Sequence, residues 1–179
     1  MNLKRPHLRG RLMCAVAAFA SVAMLAGGVL ASPAAAAGSF SAHVSPTNTF
    51  ALLLDVSGGS TSAGAPVIDW WADGGANQNW TFAPVGGNNT YEIINQNSNQ
   101  CLTTDGVAGD QVFQLPCSGG ATQLWNTQIN PSNGAFAGSS IKSVYSGLYL
   151  DVNSDSPWPG ASIDTWYWNG GSNQYFAAL

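Results

Sequence analysis

The side chains able to do chemistry in this chain are few in kind. It carries nine acidic residues, seven tryptophans and two histidines among 179 residues, with many Asn and Gln between them. Only His43 lies beyond the first 37 residues, and no Ser-His-Asp set can be placed around it. No metal-ligand cluster stands out, so neither a metal nor a cofactor is expected. Two carboxylates flanking a scissile bond would make a glycosidase, but no acid pair singles itself out by position. What remains is carboxylates that accept hydrogen bonds, amides that donate and accept, and flat rings that offer a face to C–H groups. Those tools suit holding a ligand rather than cutting one.

The elements that must position these groups repeat. Gly74-Gly75-Ala76-Asn77-Gln78-Asn79-Trp80 is echoed by Gly119-Gly120-Ala121-Thr122-Gln123-Leu124-Trp125 and by Gly170-Gly171-Ser172-Asn173-Gln174-Tyr175-Phe176. Upstream of each stands a matching lead: Leu54-Asp55-Val56, Leu102-Thr103-Thr104 and Leu150-Asp151-Val152, with the leucines 48 residues apart each time. A fixed period of this length means units that bury their apolar faces only together. The repeats run over about residues 48–86, 95–130 and 143–179.

The first 37 residues read as a secretory signal peptide. Lys4, Arg5, Arg9 and Arg11 precede an uncharged, mostly apolar run, Leu12 to Leu30, and Ala35-Ala36-Ala37 offers a cleavage site. The alternative is a single membrane anchor. Cleavage would leave residues 38–179 as one domain, free of the membrane and exported. That domain keeps only Lys142 against all nine acids, a net charge of −8. Phosphate binding needs clustered Lys and Arg, so nucleic acid and anionic membranes are excluded as partners.

Cys101 and Cys117 form one even pair in the second repeat, and in an exported chain a disulfide is expected. Closing such a loop stabilises by roughly 3 kcal/mol on the chain-entropy account.

Short apolar stretches alternate with Gly, Ser, Asn, Pro and Asp clusters, and no long helical pattern occurs after residue 37. This reads as all-β. Three units are too few for an ordinary propeller, so closure into a compact threefold β structure is expected, which removes exposed sheet edges. Gly38 to Pro46 is expected to lead in and close against the last repeat.

The repeated G-G-x-N-Q-x-W with its L-D-V lead resembles the ricin-B-type lectin family, a β-trefoil also found as a carbohydrate-binding module on secreted glycosidases. The resemblance covers about residues 48–179. It implies a β-trefoil with pseudo-threefold symmetry. Gln78, Gln123 and Gln174 would brace turns, while Trp80, Trp125 and Phe176 fill the core. It places the family's cysteine pair in the second repeat alone, with Leu53 and Ala72, or Tyr149 and Trp168, at the matching positions of the others.

In that family a sugar is held by the Asp of the lead, an aromatic two residues before the second cysteine position, and the Asn before Gln. Here these are Asp55, Trp70 and Asn77 in the first repeat and Asp151, Trp166 and Asn173 in the third. Asp69 and Asp164 are secondary sugar contacts, and Trp158 extends the third platform. The second repeat has Thr103, Leu115 and Thr122 instead, and 9 residues from Thr103 to Val112 against 12 from Asp55 to Val67. It reads as a structural wedge. Alternation along a strand predicts one buried and one exposed ring in each aromatic pair, with Trp70 and Trp166 outward. Asp55 and Asp151 could instead cap turns.

The implied function is a secreted, monomeric, non-catalytic lectin, its ligand galactose-like or xylan-type by family analogy. A protein-binding trefoil such as a hydrolase inhibitor, or a degenerate trefoil with a surface role, are the competing expectations.

Overall fold

The computed structural model describes residues 38–49, 51–133 and 138–179, together with Met1; the signal-peptide assignment lies outside the described residues. Twelve strands are found among the described residues, four for each repeat. The first four are β1 (Phe40–Pro46), β2 (Leu52–Val56), β3 (Val67–Trp71) and β4 (Asn79–Pro84). The second repeat supplies β5 (Thr90–Asn95), β6 (Gln100–Thr103), β7 (Phe113–Pro116) and β8 (Leu124–Thr127). The third supplies β9 (Ile141–Ser143), β10 (Tyr149–Val152), β11 (Ile163–Trp166) and β12 (Phe176–Ala178). The first repeat thus begins at β1, ahead of residue 48.

Six strands form a closed ring. β1 pairs with β4 and β12, β4 with β5, β5 with β8, and β8 with β9. The ring closes where Ser139 and Phe176 exchange backbone hydrogen bonds of 2.8 and 2.9 Å. The other six strands make three hairpins, β2–β3, β6–β7 and β10–β11. This is the β-trefoil, and its ring satisfies the edge amides that an open sheet would expose. The lead-in strand β1 does close against β12.

The repeated residues explain the symmetry. Leu54, Leu102 and Leu150 are fully buried with Trp80, Trp125 and Phe176 in one cluster. The indole N–H of Trp80 donates to the Leu54 carbonyl, and that of Trp125 to Leu102, each at 3.0 Å. A buried indole needs such a partner, whereas the phenyl ring of Phe176 does not. The motif glutamines bridge the backbone across the turn. Gln78 accepts from Asp73 N–H at 3.1 Å and donates to Trp71 O at 2.8 Å. Gln123 spans Ser118 and Pro116, and Gln174 spans Asn169 and Tyr167, in the same way.

The hairpins also clasp one another. Gly64 N–H donates to Gln114 O at 2.7 Å, Gly109 to Thr165 O at 2.8 Å, and Gly160 to Asp69 O at 2.8 Å. All three glycines have φ between 84° and 89°, a region that penalises a side chain. The residues whose carbonyls they reach add side-chain bonds to the same neighbour. Gln114 donates to Ser60 and Ser62 carbonyls, Thr165 to Val107 O, and Asp69 accepts from Ala161 N–H at 2.9 Å.

Cys101 and Cys117 are joined, with Cα atoms 5.0 Å apart, and staple the β6–β7 hairpin. In the third repeat Tyr149 and Trp168 replace the bridge by ring contact, centroids 4.8 Å apart. In the first, Leu53 is buried but Ala72 is exposed, so no packed pair forms.

Candidate functional site

Two clefts open at the first and third hairpins. That of the first repeat is about 460 Å3 and is lined by Asp55, Trp70 and Asn77, with Asp73, Ile68 and the turn Ser57–Gly59. That of the third is about 480 Å3 and is lined by Asp151, Trp166 and Asn173, with Asn153, Asp155, Asp164 and Asn169. The structure therefore brings each Asp-Trp-Asn triad together from three separate elements: the first hairpin strand, the second, and the turn before the core aromatic.

Each aspartate is almost wholly buried yet faces its cleft. Asp55 Oδ2 accepts from Asn77 Nδ2 at 2.9 Å and from Gln78 Nε2 at 2.8 Å. Its Oδ1 has no protein partner among the described residues, so one lone-pair face remains for a ligand. Asn173 Nδ2 reaches both oxygens of Asp151, at 3.0 and 2.9 Å, and also Val152 O. Burial raises the Asp55 carboxyl above the usual 3.8, the Gln78 amide opposes the rise, and the nearby Asp73 charge adds to it. Burial pushes Asp151 up to about 6, against the Gln174 and Asn173 amides and with the charge of Asp164.

The clefts differ in one register position. Across β10–β11, Asp151 faces Asp164; across β2–β3, Asp55 faces Ile68. Asp164 lines the third cleft, accepts from Asn153 Nδ2 at 2.8 Å, and leaves its buried Oδ1 without a partner. Burial raises its carboxyl too.

Three sequence expectations need correction. Asp69 does not line the first cleft. It is fully buried beneath Ala161 of the third hairpin, and burial pushes it up to about 6. Its role is to tie two hairpins together. Trp158, 73% exposed, does not line the third cleft. The one-in, one-out rule also fails: Trp70 and Trp71 are 41% and 51% exposed, and Trp166 and Tyr167 are 44% and 66% exposed. These residues sit at or just beyond the ends of β3 and β11, and the β2 residues opposite Trp70 and Trp71, Leu53 and Leu52, are buried while the tryptophans stay open.

Asp73, Asn153 and Asp155 were not singled out from the sequence. Asp73 and Asn169 had a readable signal, since each stands just before a Gly-Gly pair and caps it, accepting from Gly75 at 2.8 Å and Gly171 at 2.6 Å. In the second repeat Thr103 turns inward, accepting from Gln123 and donating to Cys101 O. Among the described residues, the one close His/Cys/Asp/Glu group is Glu92 with Cys101 and Cys117, whose sulfurs are bonded to each other and offer no thiolate.

No curated protein matches the chain. Among solved structures, a designed threefold-symmetric protein, ThreeFoil, superposes with a TM-score of 0.68 at 28% identity, over 78% of this chain and 97% of the design. An exo-beta-1,3-galactanase from Clostridium thermocellum gives 0.70 at 26% identity over 78% of this chain, which spans only 30% of that enzyme. The C-half of the earthworm R-type lectin, solved in complex with GalNAc, gives 0.59 at 18% identity over 76% of this chain and 95% of the lectin, a likeness of fold. The model of the ricin-type beta-trefoil lectin domain-like family matches residues 38–108 and 76–137, together more than half of the sequence, and the chain belongs to that family.

Proposed function

We propose that this protein is an exported, monomeric, non-catalytic carbohydrate-binding protein with two sugar sites, one in the first repeat and one in the third. The observation that carries the reading is the paired construction of the clefts. Each combines a buried carboxylate, an amide bonded to it and an exposed tryptophan. A carboxylate oriented by amides can accept from neighbouring sugar hydroxyls, and an indole face covers the sugar's C–H side. Asp164 gives the third cleft a second acceptor, so the two sites differ in which hydroxyl pattern they favour.

Sites this open hold single sugars weakly. Two on one rigid body raise the hold on a polymer or a glycan-coated surface through effective concentration. The galactose-like or xylan-type preference remains an analogy with the family.

A glycan array of the protein, repeated with Asp55→Ala/Asp151→Ala, tests the reading. Sugar-competable binding that the folded double variant loses is the expected result. Binding that free sugar does not compete, or no binding by a folded protein, would transfer the function to protein recognition or to a surface role.

A further inference from the structure

Another cleft, about 440 Å3, lies away from both hairpin sites, between the second and third repeats. Its walls come from the β4–β5 turn, β8, β9, β10 and the segment after β11. Trp168, Tyr149 and Tyr175 form an aromatic corner in it. Trp168 lies 4.8 Å from Tyr149 by ring centroids and meets Tyr175 edge-on at 5.4 Å, yet stays 46% exposed. The side-chain amides of Asn88 and Asn89, at the rim, make no hydrogen bond to the protein among the described residues. Lys142 rises from the floor with its ammonium 5.2 Å from the Tyr149 ring centroid.

The charge of this cleft is opposite to that of the other two. Asp55 and Asp73 line the first, and Asp151, Asp155 and Asp164 the third repeat's. This one is lined by no acid at all and by the sole cation of residues 38–179. Among the described residues no carboxylate pairs with Lys142. A cation retained here, unpaired, beside rings and free amides, fits a ligand that brings its own carboxylate.

We infer that this cleft is a separate site for an acidic sugar, a hexuronic acid residue. Its C–H face would lie on Trp168, its hydroxyls would meet the Asn88 and Asn89 amides, and its carboxylate would pair with Lys142. An ammonium–carboxylate hydrogen bond is about twice as strong as a neutral one. The domain's overall negative charge does not forbid this, because charges beyond about 8 Å are screened at physiological salt. A polymer mixing neutral and acidic sugars would then engage three clefts of two kinds.

The test is an NMR titration of the whole protein with galacturonate, with its methyl ester and with galactose, following the tryptophan indole N–H signals. Galacturonate should shift Trp168, and Lys142→Gln should weaken that binding about tenfold or more. The methyl ester, which lacks the charge, should bind wild type and Lys142→Gln alike. Trp168→Ala should abolish both; if it fails to fold, Lys142→Gln, which alters a half-buried surface side chain, still decides. Asp55→Ala/Asp151→Ala should leave the Trp168 response intact, so this site stands or falls apart from the two hairpin sites. The inference is overturned if galacturonate moves only Trp70 and Trp166, moves no tryptophan, or binds Lys142→Gln as tightly as wild type.

Discussion

Gly160 of the third repeat lies against the ring of Trp70 in the first: a Cβ there would sit 3.4 Å from Trp70 Cζ3, on a backbone with φ of 89°. Gly109 of the second repeat stands in the same relation to Trp166, at 3.1 Å from Cζ3. Each cleft tryptophan is therefore seated on the hairpin tip of another repeat. The second repeat, which lacks the triad, still helps shape the third cleft through Gly109.

Replacing Gly160 with Ala should bring a side chain into contact with Trp70 and hold it at positive φ, a strain of order 1–3 kcal/mol that shifts the hairpin tip beneath the ring. Sugar binding at the first cleft should weaken while the third is unchanged; Gly109→Ala should do the reverse. Titrations read from the Trp70 and Trp166 indole signals separate the two. Equal effects on both clefts would refute the cross-repeat seating.

The two aspartates can be separated from mere turn capping by Asp55→Asn and Asp151→Asn. An amide keeps the shape and can still accept from Asn77 or Asn173, so each variant should fold. It loses the charged acceptor for sugar hydroxyls, and affinity at its own cleft should fall about tenfold or more. Calorimetric titration of each single variant measures this. Unchanged affinity with lowered stability would return both residues to a structural role.

The interior was legible because burial leaves little choice. Leu54, Leu102 and Leu150, with Trp80, Trp125 and Phe176, recur at fixed spacing, and all six are fully buried. The bonds by which the turn glutamines bridge their own turn are equally local, reaching carbonyls seven residues back. Asp69 was misread because its partner, Ala161, is 92 residues away on another repeat. No pattern within one repeat shows a bond between repeats. Alternation fails at Trp71 because β3 ends there and the chain turns away. Asp164, expected from the sequence as a secondary contact, takes the position of Ile68 in the first repeat, and only the register shows it opposite Asp151. The cleft around Lys142 draws on separate strands, so no motif announces it.

The disulfide should matter for stability and not for binding. It closes a loop of 16 residues in the repeat that lacks the triad. Cys101→Ser/Cys117→Ser should cost about 2–4 kcal/mol, read from denaturant unfolding. Affinity at both hairpin clefts should stay within twofold, unless Gly109, on the same hairpin, moves. A selective loss at the third cleft would mean that the staple also holds the Trp166 seat.

Acidity should move binding and stability in opposite directions. Burial pushes Asp151 from the ordinary 3.8 up to about 6, and Asp69 likewise. A carboxyl whose folded value is raised stabilises the fold fully below 3.8, and that contribution is lost as pH rises through 6. Thermal unfolding should therefore occur at a lower temperature as pH rises from 4 to about 8. Sugar binding at the third cleft needs Asp151 ionised as an acceptor, so affinity there should rise over the same window. Asp151→Asn should flatten the binding profile. Asp69→Asn should leave binding alone and remove part of the stability slope, because Asp69 ties hairpins and lines no cleft. A wild-type affinity at the third cleft that stays constant from pH 4.5 to about 8 would show that the Asp151 carboxylate does not hold the sugar.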